Sequence, residues 1–285
     1  MWAGFDRVVI GVRSLEEGAE RYAALLGAEP GPLARVGSSC GSERIAYRAC
    51  EIALANGSVE LREGETSPED MPAGLIELAL RSHELEATAD ALAARGIPGR
   101  VHLLERLESS GAKSALRELR LSPAATRGVP IAVREPGGPP PAPPAPDVVH
   151  GLDHVVVRTR NADAALALYR DRLGVRLALD RVFEPRGVRL VFLRLGGVTL
   201  ELAAPLRPAG RESGGDDGPD ALWGVAYQTP RPRAARERVA GAGLEVSSVR
   251  PGNKPGTEVC TVRDGTCGVP TLLIGPLEDP SEGRP

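Results

Sequence analysis

Two halves of this chain repeat each other at a fixed distance, and that repeat limits the fold more than any other property. Asp6, Tyr22 and Gly27 recur as Asp153, Tyr169 and Gly174, each 147 residues further on. Gly96 follows a helix-periodic stretch from Glu84 to Arg95, and at the same offset Gly243 follows a matching stretch from Pro232 to Ala242. Gly-Val-Pro130 recurs as Gly-Val-Pro270 at an offset of 140, so the first half carries seven extra residues between Gly96 and Gly128. Landmarks of different types sharing one spacing mean a duplicated domain. Each half also repeats within itself. Leu75–Arg81 and Leu222–Thr229 each read as a strand running into a helix, just as the start of each half does. The expected architecture is α+β: two tandem domains, each of two paired strand–helix–strand–strand–strand modules.

A run of prolines and glycines from Pro136 to Pro146 separates the halves. It is a stiff, solvated linker that cannot join a sheet. The domains are therefore expected at 1–135, with modules at about 1–66 and 73–135, and at 148–277, with modules at about 148–206 and 220–277. The linker takes 136–147. Polar loops at 63–72 and 207–220 divide the modules, and the tail from Glu278 should fray. Aromatic residues make up only 3% of the chain against 42% apolar residues, so the cores must be aliphatic. A net charge of -3, with both signs mixed along the chain, provides no basic stripe for nucleic acid or a membrane surface. No apolar run approaches a membrane span, and the start does not read as a signal peptide, so a cytoplasmic monomer or homodimer is expected. The four cysteines lack metal-ligand spacing. Cys260 and Cys267 flank a hairpin signal at Asp264-Gly265, which leaves a disulfide open, although free thiols suit that compartment better.

Gly151 to Ala203 is the clearest module. Leu152–Thr159 is a valine-rich strand, and alternation puts His154, Val156 and Arg158 on one face. Asn161 caps a helix that carries Leu166, Tyr169 and Leu173 on one side and ends at Gly174. Two strands follow, then Gly196-Gly197 as a hairpin turn, then a last strand with Thr199, Glu201 and Ala203 on one face. The aliphatic faces should pack on the helix. His154 and Glu201 should project together from the concave face.

Leu-Asp-His154 opening a strand, Tyr169 before Leu-Gly174, and Leu-Glu201-Leu closing the unit resemble the vicinal oxygen chelate superfamily. That superfamily includes glyoxalase I, bleomycin-resistance proteins, methylmalonyl-CoA epimerase and extradiol dioxygenases. The resemblance implies a curved-sheet cup with metal positions on the first and last strands of each module. In the second half these fall on His154, Glu201, Gly224 and about Leu273, and in the first half on Arg7, Glu60, Glu77 and about Ala132. His154 and Glu201 would hold one divalent ion, with oxygen and nitrogen donors suited to Mn, Fe, Ni, Co or Zn, or they would form a metal-free polar pair. Glu201 would be ligand or base. Gly224, Ala226 and Gln228 would line the cup with Val156, Arg158 and Thr199. With two ligands missing, extradiol oxygen activation is disfavoured. A glyoxalase-like lyase or isomerase acting on a small oxygenated molecule, a non-catalytic small-molecule binder and a degenerate pseudo-enzyme stay open. Arg7, unable to ligate an ion, is expected to supply the local positive charge beside Glu60 or Glu77. The alternating charges of Arg117, Glu118 and Arg120 read as a solvated strand face, with a clamp for a substrate carboxylate as the alternative.

Overall fold

The computed structural model describes residues 2–38, 45–65, 67, 71–136, 148–206 and 218–277. Most of the linker, residues 207–217, parts of the 63–72 loop and the tail from Glu278 lie outside these.

The first half runs β1 (Gly4–Gly11), α1 (Leu15–Leu26), β2 (Ala34–Ser38), β3 (Ile45–Leu54) and β4 (Gly57–Gly64), then β5 (Gly74–Arg81), α2 (Leu85–Ala93), β6 (Gly99–Glu108), β7 (Lys113–Leu121) and β8 (Ile131–Arg134). The second half repeats this as β9 (Gly151–Arg158), α3 (Ala162–Leu166, continued by a π-helical segment Ala167–Arg172), β10 (Arg176–Phe183), β11 (Val188–Leu195) and β12 (Val198–Pro205). It ends with β13 (Ala221–Gln228), α4 (Pro232–Gly241), β14 (Arg250–Pro251), β15 (Thr257–Val262) and β16 (Thr271–Pro276). Equivalent helices start and stop by the same chemistry. The Ser14 hydroxyl accepts from the Glu17 amide, and the Asn161 carboxamide oxygen accepts from the Ala164 amide at 3.0 Å. Gly27 and Gly174 follow with φ of 69° and 72°, left-handed values that a side chain resists.

In each half the first strands of the two modules lie side by side and antiparallel, β1 with β5 and β9 with β13. The last strand of each module pairs in parallel with its own first strand, as β4 does with β1 and β12 with β9. The aliphatic faces of both sheets meet the helices in one continuous core, in which Val8, Ile10 and Tyr22 join Val155, Val157 and Tyr227. The Tyr22 hydroxyl donates to the Thr266 carbonyl across the halves at 3.0 Å, and Arg127 pairs with the buried Asp220 at 3.0 Å. Both tyrosines of the repeat, Tyr22 and Tyr169, are fully buried. Cys50, Cys260 and Cys267 are free thiols.

The halves differ in closure. In the first, the strand order β1-β4-β3-β2-β6-β7-β8-β5 closes into a barrel. The closing contact is made by the tip of the β6–β7 hairpin, where Glu105–Glu108 pair with β2. The second half lacks seven residues here, and its β14 is only two residues long. Its sheet, β10-β11-β12-β9-β13-β16-β15-β14, stays open, with β10 and β14 as unjoined edges. A length difference visible in the repeat thus becomes a sealed barrel in one half and an open cup in the other.

Candidate active site and its sealed counterpart

In the first half ion pairs occupy much of the barrel interior. Arg7 contacts Glu60 and Glu51, each at 2.7 Å, and Asp6 at 2.6 Å. Glu60 also receives Arg62 and, at 3.1 Å, Arg134. Arg134 reaches Glu118, which is 0% exposed, and Arg62 lies 3.0 Å from Glu77 and over the Tyr47 ring. Burial acts to raise the Glu60 carboxyl, but Arg62, Arg134 and Arg7 override it and hold it well below the ordinary carboxylate value. Three expectations change here. Glu60 and Glu77 line no open cup: they are buried within this network. Glu118 is not on a solvated face, because β7 turns it inward toward Arg134. Arg7 borders a smaller cavity of about 790 Å³ near Glu51 and Arg81, which neither Glu60 nor Glu77 lines.

In the second half the same concave face is empty, with a cavity of about 1490 Å³. His154, Val156 and Arg158 from β9, Thr199 and Glu201 from β12, and Gly224 and Gln228 from β13 all line it. His154 Nε2 lies 3.8 Å from Glu201 Oε2, beyond hydrogen-bond reach, so both groups face the cavity with no hydrogen bond between them. Ala226 does not line it. It sits in register between His154 and Leu272 and is fully buried. Gly224 is held small by packing as well as by the cup, since a Cβ there would meet the Pro270 carbonyl oxygen at 2.8 Å. The fourth superfamily position also shifts. Leu273 is fully buried in the core, while Leu272 and Ile274 face the cavity.

Asp153 is the floor residue that strand alternation misses. Simple alternation turns it away from His154, but the β9–β13 register slips between Leu152 and His154, and this bulge swings Asp153 to the cavity side. Its Oδ1 lies 2.8 Å from His154 Nδ1, and Gln228 Nε2 donates to its Oδ2 at 3.2 Å. Asp6 in the first half sits in the same bulge and accepts from Arg81, the counterpart of Gln228. The repeat of Asp6 as Asp153 was the available signal. Burial works to raise the Asp153 carboxyl, but hydrogen bonds to His154 and Gln228, with Lys254 nearby, bring it below its ordinary value. In the neutral imidazole a carboxylate at Asp153 favours the proton on Nδ1, and the Nε2 lone pair then faces the cavity. Glu201 moves the other way. Burial pushes its carboxyl up, His154 tempers this and Asp153 reinforces it.

This donor set does not suit a resident metal ion. Gly224 and Leu272 stand where further ligands would, and the described residues contain no group of three or more His, Cys, Asp or Glu side chains arranged to hold one. His154 and Glu201 by themselves leave most of a coordination shell to water. What the floor does have is an oriented imidazole lone pair beside a carboxyl held above its usual range, a combination suited to moving protons.

Fold and site together define a paired-module cup protein with one cup sealed and one open. Residues 153–261 match the family described as Glyoxalase/Bleomycin resistance protein/Dioxygenase superfamily. An Mn(II)-bound glyoxalase from Novosphingobium aromaticivorans has a similar fold over 97% of this chain and 83% of its own, at 15% identity and a TM-score of 0.66. A mutant of 4-hydroxymandelate synthase from Streptomyces coelicolor is similar over 99% of this chain and 96% of its own, at 12% identity and a TM-score of 0.65. No curated protein matches the chain in sequence. The second half thus matches this family in sequence over residues 153–261, and the chain as a whole shares the fold of these two structures. Among the described residues no helix is long and apolar enough to cross a membrane.

Proposed function

We propose that the second half binds a small oxygenated molecule in its open cup, while the sealed first half serves as a rigid support. The observation that carries this reading is the contrast between two copies of one fold. One sheet is closed into a barrel whose interior carboxylates are matched by arginines and which leaves a cavity of about 790 Å³, and the other stays open around a cavity of about 1490 Å³ with a polar floor. Pockets for drug-sized ligands span roughly 300–1,000 Å³, so the space readily admits a small molecule. Ala203 lies on the cup wall. A thermal-shift screen of small hydroxy and keto acids should give hits that vanish in Ala203→Trp, which projects an indole into the cup. Hits that persist in that variant would overturn the assignment.

A second reading is favoured by the raised Glu201 carboxyl beside the oriented His154. In it the bound molecule is turned over by proton transfer next to a carbonyl, an isomerase or lyase reaction. Glu201 takes the proton from carbon as carboxylate, and Nε2 of His154 accepts or returns one at oxygen. The donor set predicts low metal content in the purified protein, equal in His154→Ala. Stoichiometric Mn, Fe, Ni, Co or Zn that disappears in His154→Ala would contradict this and favour a metal-assisted enzyme.

A further inference from the structure

We infer that the ligand of the open cup is an anion with a flat apolar body, its carboxylate held by Arg158 against Trp223; this rests on the cup being a binding site, as proposed above. The argument begins with charge matching. In the sealed half every inward guanidinium named above meets a carboxylate. In the open half Arg158, Arg181, Arg194, Arg250 and Lys254 line the cavity, and the described residues offer none of them a carboxylate at ion-pair distance. Only Asp153 and Glu201 oppose them among the lining residues. Positive charge gathered in a concave surface with apolar walls focuses its field on the space inside.

Arg158 stands out because its position is fixed. The β9–β13 register slips a second time, between Leu222 and Gly224, and the extra residue is Trp223. The bulge turns this indole onto the cup face, where it is 39% exposed. The Arg158 guanidinium stacks on the indole at 4.1 Å from the ring centroid. Stacking occupies the face of the guanidinium and leaves its N–H edge free for two parallel hydrogen bonds to a carboxylate. The apolar body would then lie along Phe192, Leu190 and Leu179 toward Glu201.

The test compares 2-naphthoate with 2-naphthamide, which share one shape and differ in charge, titrated against the full chain by calorimetry and tryptophan fluorescence. Trp223 reports on the cup, and the chain's other tryptophan, Trp2, is tied to the Leu173 carbonyl outside it. Naphthoate should bind at least about tenfold more tightly than the amide, as expected of a charge-assisted hydrogen-bonded pair. Arg158→Ala should abolish that preference, and Arg158→Lys should restore part of it. Arg158 is exposed, so its loss does not threaten folding. Equal binding of the two probes, or a preference that survives in Arg158→Ala, would overturn the anion assignment and leave the cup reading standing. Binding of neither probe would overturn both.

Discussion

Replacing Glu60 with Gln tests whether the sealed half is held by its buried charges. The change keeps the shape and removes one negative charge from between Arg7, Arg62 and Arg134. Breaking a buried ion pair by removing one partner costs about 3–5 kcal/mol. Gln can still accept a hydrogen bond, and Asp6, Glu51, Glu77 and Glu118 remain, so the loss should lie near about 3 kcal/mol. At about 2–4 °C per kcal/mol for a chain of this size, Tm at pH 7 should fall by about 6–12 °C. The pH dependence gives a second check. The folded-state value of Glu60 is depressed, so its contribution is fully present above the unfolded value of 4.5 and is lost as pH falls through the folded value. The Tm gap between wild type and Glu60→Gln, read by calorimetry, should therefore be widest above pH 4.5 and narrow below it. A gap under about 2 °C at pH 7, or one that widens in acid, would refute the reasoning.

Other substitutions separate function from support. Glu201 has the opposite sign: its folded value is raised by burial, so the ionised group weakens the fold once pH passes the unfolded value. Glu201→Gln should melt higher than wild type at pH 7, with the difference closing below pH 4.5, as a melting series across pH will reveal. Arg127→Ala strips the ion partner from the buried Asp220 between the halves, and urea denaturation should register a loss of about 3 kcal/mol. Gly224→Ala forces a Cβ against the Pro270 carbonyl and should cost about 1–3 kcal/mol by the same measurement.

Much of the architecture was legible because duplication and alternation are linear signals. The offset of 147 fixes β1 against β9 and α1 against α3, and period two turns His154 and Glu201 to one face. The seven-residue difference was legible too, but its meaning was not, because closure depends on where a hairpin tip lands in space. Bulges defeated the rest. Asp153 and Trp223 both reach the cup because one extra residue in a strand reverses local alternation, and nothing in the composition around them marks the slip. Glu118 was misread because charged residues normally alternate outward, and only a matched set of arginines makes an inward carboxylate tolerable.

A sheet that stops short of closure also keeps two rows of backbone groups wet. Among the described strands, β10 and β14 are where another extended chain could add without displacing an existing partner. The chain guards both. β10 carries Arg176, Asp180 and Arg181 and a kink between Leu177 and Leu179, while β14 is two residues long and ends in Pro251. The doorway to the ligand is thus also the protein's exposure to aggregation, and the charges on its frame answer to solubility as well as to recognition.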